Sequence, residues 1–467
     1  MRRYKPSELI PALATWALEI GEPPYSPQIL QQRPPWAIAA AARESILYGN
    51  EHRDTPVDAR ARNKILQVFN NVYEMRLRGD PDRNTVEAIL TRIAYEQFPY
   101  QESIYEEVAR SHALLVESLG DVDTQVVSES AWASLLGAPL ADAVASTFFL
   151  QVGANENNGR YDPGWLDQPN FSDVLARWPR EHIEATAARL TADFAGLRSD
   201  FMSEPTPVVE LDRYGYNPLV KTPFIALDSG IIVAPQPRLI LRTITPGGLY
   251  YTGIAKWGNP FAEDLGKLVE HYVGRQLRLI ENAEVHPEVV YGRPEKRSVD
   301  WFAVLPDLVI LVEVKSSRLT LRSRAGDETL VPDLQRSLGK ATEQLATSVE
   351  RVRDGHAAFA HIPNDRPFVG LIVTAEPFYT ANSTFVRQRL GTAPVPTLAA
   401  SLRDLEHLLS LDQTVLSNRL SAIVNDPEKS TWKLGIALGD DSATGPNPIL
   451  EHAWSSYPWP FDVSEDE

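Results

Sequence analysis

Cysteine is absent from all 467 residues, which excludes disulfides, thiolate metal sites and cysteine nucleophiles and sets a cytoplasmic location as the expectation. Uninterrupted apolar runs stay short of the roughly 18 residues of a membrane span, so no membrane association is expected. The first residues carry charge at Arg2 and Arg3 but soon meet Glu8, Pro11 and Glu19, so no secretory signal is read there. The nine histidines show no HNH-like spacing. A G-x-x-x-x-G-K-[ST] loop is also missing, which argues against a built-in NTPase motor. Lysine is scarce, 10 against 35 arginines.

The length exceeds that of a usual single domain, so at least two structural units are expected. Net charge is −17, an unfavourable balance for binding phosphate backbone. Its distribution softens the objection. Residues 426–467 hold 9 acidic and 2 basic side chains, whereas 260–425 hold 21 acidic and 19 basic.

Residues 1–215 read as mostly helical. Apolar residues recur three and four apart over 62–77 and 86–98, 103–120 closes on Gly120, and a helical stretch from Ser172 is interrupted at Pro179. Residues 155–165 read as a turn-rich loop. The segment 216–259 is a connector in which two apolar strands flank Asp228-Ser229-Gly230. A helix over 260–280 carries Leu265, Leu268, Val269 and Tyr272 on one stripe and Glu263, Lys267 and Glu270 on another. Strands and helices then alternate to about 425, the pattern of a mixed α/β domain. An acidic tail, 426–467, poorly ordered or docked, follows.

The chemistry concentrates in SVDWFAVLPDLVILVEVKSSR, residues 298–318. Two strands joined by a turn at 305–308 pair Val304 with Val309. That register sets Asp300 opposite Glu313, about 5 Å apart at Cβ. Lys315 lies two residues on and points to the same face, while Ile310, Val312 and Val314 point to an apolar one. An E-x-K strand is often a solvated ion-pair face. Here the strand is apolar up to the motif, which lies at its C-terminal end, where α/β sites form. Hard cations such as Mg²⁺ or Mn²⁺ bind through one or two carboxylates plus water and phosphate oxygens. A neighbouring lysine can hold the attacking water or offset transition-state charge. Glu270 is the candidate third acid, with Glu263 as the alternative.

The order of helix with acid, strand with Asp300, strand with Glu313-x-Lys315 and following helix resembles the core of the PD-(D/E)xK nuclease superfamily, the restriction endonuclease-like fold. The resemblance covers residues 260–425. It implies Asp300, Glu313 and Glu270 as metal ligands for Mg²⁺ or Mn²⁺, Lys315 as the catalytic lysine, and a site contribution from Lys340 or Gln344 on the next helix. One departure is plain, since Val299 rather than proline precedes Asp300. The literal Pro306-Asp307 falls in the turn, away from the patch.

Basic residues flank the motif, Arg293, Lys296 and Arg297 before it and Arg318, Arg322 and Arg324 after it, as candidate phosphate contacts. The expected activity is metal-dependent hydrolysis of phosphodiester bonds, in DNA before RNA, with restriction or anti-phage defence as a setting by analogy. The alternatives are an RNA-directed nuclease or an inactive nuclease fold used for binding or assembly. The helical half would recognise substrate, bind a partner protein or join a second copy.

Overall fold

A computed structural model describes residues 1–70, 86–204, 209–391, 393–439 and 445–459. The end of the helix expected over 62–77 lies outside these residues, as do 440–444 and the acidic terminus from 460.

Five strands form a mixed sheet: β1 (Glu284–Pro287), β2 (Trp301–Val304), β3 (Val309–Lys315), β4 (Phe368–Thr374) and β5 (Thr397–Ser401). Their spatial order is β5-β4-β3-β2-β1. The pairs β5/β4 and β4/β3 are parallel, β3/β2 and β2/β1 antiparallel. β3 is central, so valine, isoleucine and leucine suit both of its faces. On one side Ile310 and Val312 share a core with Leu265, Leu268, Val269 and Val273 of helix α1 (Asn259–Leu277). On the other, Val309 and Leu311 share a core with Leu345, Val349 and Val352 of helix α2 (Lys340–Arg353). Each such buried aliphatic side chain contributes roughly 1.5–3 kcal/mol.

Two local features set α1 against the sheet. Gly258, at φ 63°, and Pro260 start the helix. Gly274 gives the Trp301 indole room that any Cβ would fill, and the indole N–H donates to the Glu270 carbonyl at 3.0 Å. α2 continues from Leu330–Leu334 through a π turn, Gln335–Gly339. Its apolar face, Leu334, Leu338, Ala341, Leu345, Val349 and Val352, is buried throughout.

The cores divide differently from the sequence segments. One apolar cluster runs from Ile104 to Trp459 and joins helices of the first half to α1 and the sheet. A second gathers Leu9, Ile10, Leu13, Trp36 and Ile38 with Leu197, Leu219 and Val233. Polar links reinforce the first. Buried Asp264 accepts from the backbone N–H groups of Gln125, Val126 and Val127 at 2.7–3.0 Å. Arg110 grips Glu406 of helix α3 (Leu402–Leu409) at 2.6 and 2.5 Å, and the Tyr272 hydroxyl donates to the same carboxylate at 2.7 Å.

One sequence expectation changes. The connector does form antiparallel strands around Gly230, Phe224–Ala226 and Ile232–Val233, but Arg238–Arg242 is helical rather than a strand continuation. Pro235 and Pro237 interrupt the strand, and proline favours a first helical turn. The described part of the acidic tail is docked. Tyr457 and Trp459 are each 3% exposed, and the Tyr457 hydroxyl donates to the Val108 carbonyl at 2.7 Å. One stretch, Glu129–Glu156, is apolar enough to cross a membrane by length and composition. Its Val144 and Leu150 are fully buried in the protein core.

Candidate functional site

The β2/β3 ladder pairs Trp301 with Val312 and Val304 with Val309, the register read from the sequence. One step beyond its end, Asp300 stands opposite Glu313. The Val314 N–H donates to Asp300 Oδ2 at 2.6 Å, so a backbone donor from the motif strand fixes that carboxylate. Glu313 is only 1% exposed. Its Oε1 receives the Lys315 ammonium at 2.5 Å, and its Oε2 is buried with no hydrogen-bond partner. Lys315 also donates to Gln344 Oε1 of α2 at 3.0 Å. One turn further along α2, Ser348 Oγ accepts from the Val299 N–H at 3.0 Å. Two side chains of one helix therefore hold the residue before Asp300 and the lysine beside Glu313.

Glu270 faces this group from α1. Gly266, one turn earlier, brings the helix within 3.4 Å of Ser316 Oγ, measured from where a Cβ would stand. Glu263 is engaged elsewhere, accepting from Asn259 at 2.6 Å and Gln125 at 3.0 Å. Of the two candidates, Glu270 is the one near Asp300.

Burial, with neighbouring negative charge, shifts all three acids. Desolvation first, then the charge of Asp300, pushes Glu313 up to about 8 despite the opposing Lys315. Desolvation and Asp300 push Glu270 up to about 7. Asp300 rises to about 6 through burial, offset in part by the Val314 N–H and Lys315. Such a site favours bound protons or a cation, which removes the same repulsion.

Among the described residues no three His, Cys, Asp or Glu side chains converge into a ready-made metal cage. The donors present suit a hard divalent ion held by two carboxylates and completed by water and substrate oxygens. The unpartnered Glu313 Oε2 is the sharpest sign of fit, because a buried carboxylate oxygen left without a partner is costly.

The other sequence candidates scatter. Lys340 is exposed at the start of α2, one turn before Gln344. Asp307 lies in the β2/β3 turn and accepts from Ser417 Oγ at 2.6 Å. Arg318 and Arg324 do not face solvent as free cations. Both bind Glu376, at 3.0 and 2.7 Å, and Arg318 lies over the Tyr250 ring at 4.3 Å. Their charge is neutralised inside the fold, so they are poor phosphate contacts. Arg322 pairs with Asp327 at 2.7 Å and Glu328 at 3.0 Å. Arg293 and Lys296 are exposed on the ribbon Val290–Tyr291/Lys296–Arg297, and Arg297 pairs with Glu288 at 2.8 Å.

Sequence reasoning missed Glu288, Ser348 and Glu376. No spacing rule links them to the E-x-K motif, and each reaches the site or its flanking arginines only through tertiary packing. The chain matches no known protein family model, and no curated protein is similar to it in sequence.

Proposed function

We propose that the chain is a Mg²⁺- or Mn²⁺-dependent phosphodiesterase of the restriction endonuclease-like type, acting on DNA. The observation that carries this reading is buried Glu313, whose Oε2 lacks a partner, set between half-buried Asp300 and Lys315. Asp300 and Glu313 would hold the ion, with Glu270 as an outer acid. The bound ion would lower the pKa of a water and neutralise phosphate charge. Lys315, oriented by Gln344, holds a proton-bearing ammonium beside the place where a phosphate oxygen gains charge. Glu270, near neutrality, is suited to accept the proton that an attacking water must lose. Asp300 cannot swing away, because the Val314 N–H holds it. Cytoplasmic defence, and recognition of DNA or a partner through the helical half, complete this reading.

One observation favours a second reading, an inactive fold used for binding or assembly. The Lys315 ammonium already satisfies Glu313 Oε1, so an internal cation partly substitutes for a metal. Incubation of purified protein with supercoiled plasmid, linear DNA and RNA, each with Mg²⁺ or Mn²⁺, tests both. Metal-dependent cutting by wild type and not by Lys315→Ala supports the enzyme. Mn²⁺ binding without cleavage of any substrate supports the inactive fold.

A further inference from the structure

Trp301 pairs with Pro287 at the end of the β1/β2 ladder, and Arg297 pairs with Val290 on the ribbon beyond it. Three residues, 298–300, therefore face two, 288 and 289. The Ser298 N–H donates to the Val289 carbonyl at 3.0 Å, so the two chains stay joined across the mismatch. The core records the same extra residue. Val299 and Phe302 both lie in the α2-side core, whereas unbroken alternation sends residues three apart to opposite faces. Ser298–Asp300 is thus a β-bulge, which takes a residue out of the ladder and re-aims the side chains around it. Asp300 stands at its end, next to the first regular pair.

A residue taken out of the ladder keeps an N–H and a carbonyl that need partners. Val299 is fully buried, and serine hydroxyls serve both of its groups. Its N–H donates to Ser348 Oγ of α2 at 3.0 Å. Its carbonyl accepts from Ser298 Oγ at 2.8 Å, and that same oxygen accepts the Val289 N–H at 2.8 Å. Ser298 and Ser348 are themselves fully buried, so water does not stand in for either.

We propose that Ser348 is a positioning residue for Asp300. It holds the peptide immediately before the acid, while the Val314 N–H holds the carboxylate, so Asp300 is fixed from both ends. Without Ser348 the buried Val299 N–H has no acceptor, a costly state that the bulge relieves by turning, and Asp300 turns with it. The proposal rests on the cation-binding part of the proposed function and not on catalysis.

Calorimetric titration of the full chain with Mn²⁺ tests it, beside urea denaturation of each variant. Ser348→Ala should bind about 10- to 100-fold more weakly than wild type. Ser348→Cys, whose sulfur accepts weakly, should fall between the two. Val349, the next residue of α2, is buried in the same core and has no polar side-chain atom to offer the bulge. Val349→Ala should therefore lose stability and keep the wild-type affinity. Wild-type affinity in Ser348→Ala, or in Ser348→Cys where the alanine variant does not fold, overturns the proposal and leaves the Asp300–Glu313 site standing. So does an equal loss of affinity in Val349→Ala, which would tie binding to stability alone. No Mn²⁺ binding by wild type overturns both.

Discussion

The backbone N–H of Val314 donates to the Asp300 carboxylate at 2.6 Å, which binds the acid of one strand to the residue lying between Glu313 and Lys315 on the next. An alternating strand aims Val314 away from the site while its main chain stays in the sheet plane. The motif strand therefore serves Asp300 through its backbone and the site through its two charged side chains.

Lys315 is the first target. Replacing it with alanine should lower metal-dependent DNA cleavage by about 100-fold or more, the scale of losing a charge-stabilising donor. It should leave the melting temperature nearly unchanged or higher in the presence of Mn²⁺, because Glu313 then has only the metal. Plasmid nicking rates and thermal melts measure the two. A cleavage rate equal to wild type would remove Lys315 from the chemistry.

The raised acids set a pH dependence with a definite sign. Glu313, Glu270 and Asp300 hold protons in the native state, to about 8, 7 and 6, that the unfolded chain has already released. Their contribution to stability is full at pH below the unfolded values of 4.5 and 3.8 and is lost as pH rises towards 8. Without added metal, wild type should lose melting temperature relative to Glu313→Gln between pH 5 and 8. Mn²⁺ should stabilise wild type more at pH 8 than at pH 6, with proton release on binding. Parallel pH curves for the two proteins would show that Glu313 is not raised.

Asp307 gives a contrast. It lies in the turn and meets Ser417, so Asp307→Asn should leave Mn²⁺ affinity and cleavage within about twofold of wild type. Asp300→Asn should abolish tight binding. Equal losses in both would mean that the literal Pro306-Asp307 holds the metal.

The Arg110–Glu406 pair joins the helical half to the sheet domain inside the core. Glu406→Ala strands a buried guanidinium and should cost roughly 3–5 kcal/mol. Arg110→Met combined with Glu406→Leu should recover most of that, because no unpaired charge remains. Urea denaturation of the three proteins decides, and a loss below about 1 kcal/mol for Glu406→Ala would show that water reaches the pair.

Much of the sheet was legible because its information is local. The alternation through residues 300–315 and the turn residues at 305–308 determine strand, register and face, and a one-residue slip would bury Asp300 and Glu313 among aliphatic side chains on the α1 side. The same periodicity marks the buried faces of α1 and α2. Only the tertiary structure decided the rest. Arg318 and Arg324 read as phosphate contacts until Glu376, more than fifty residues later, claims them. Ser348 holds Val299 through a contact between elements distant in sequence. Burial decides the charge state of Glu313, and burial depends on which helices cover a strand. Spacing records which side chains share a face, whereas long-range packing determines what lies across from them.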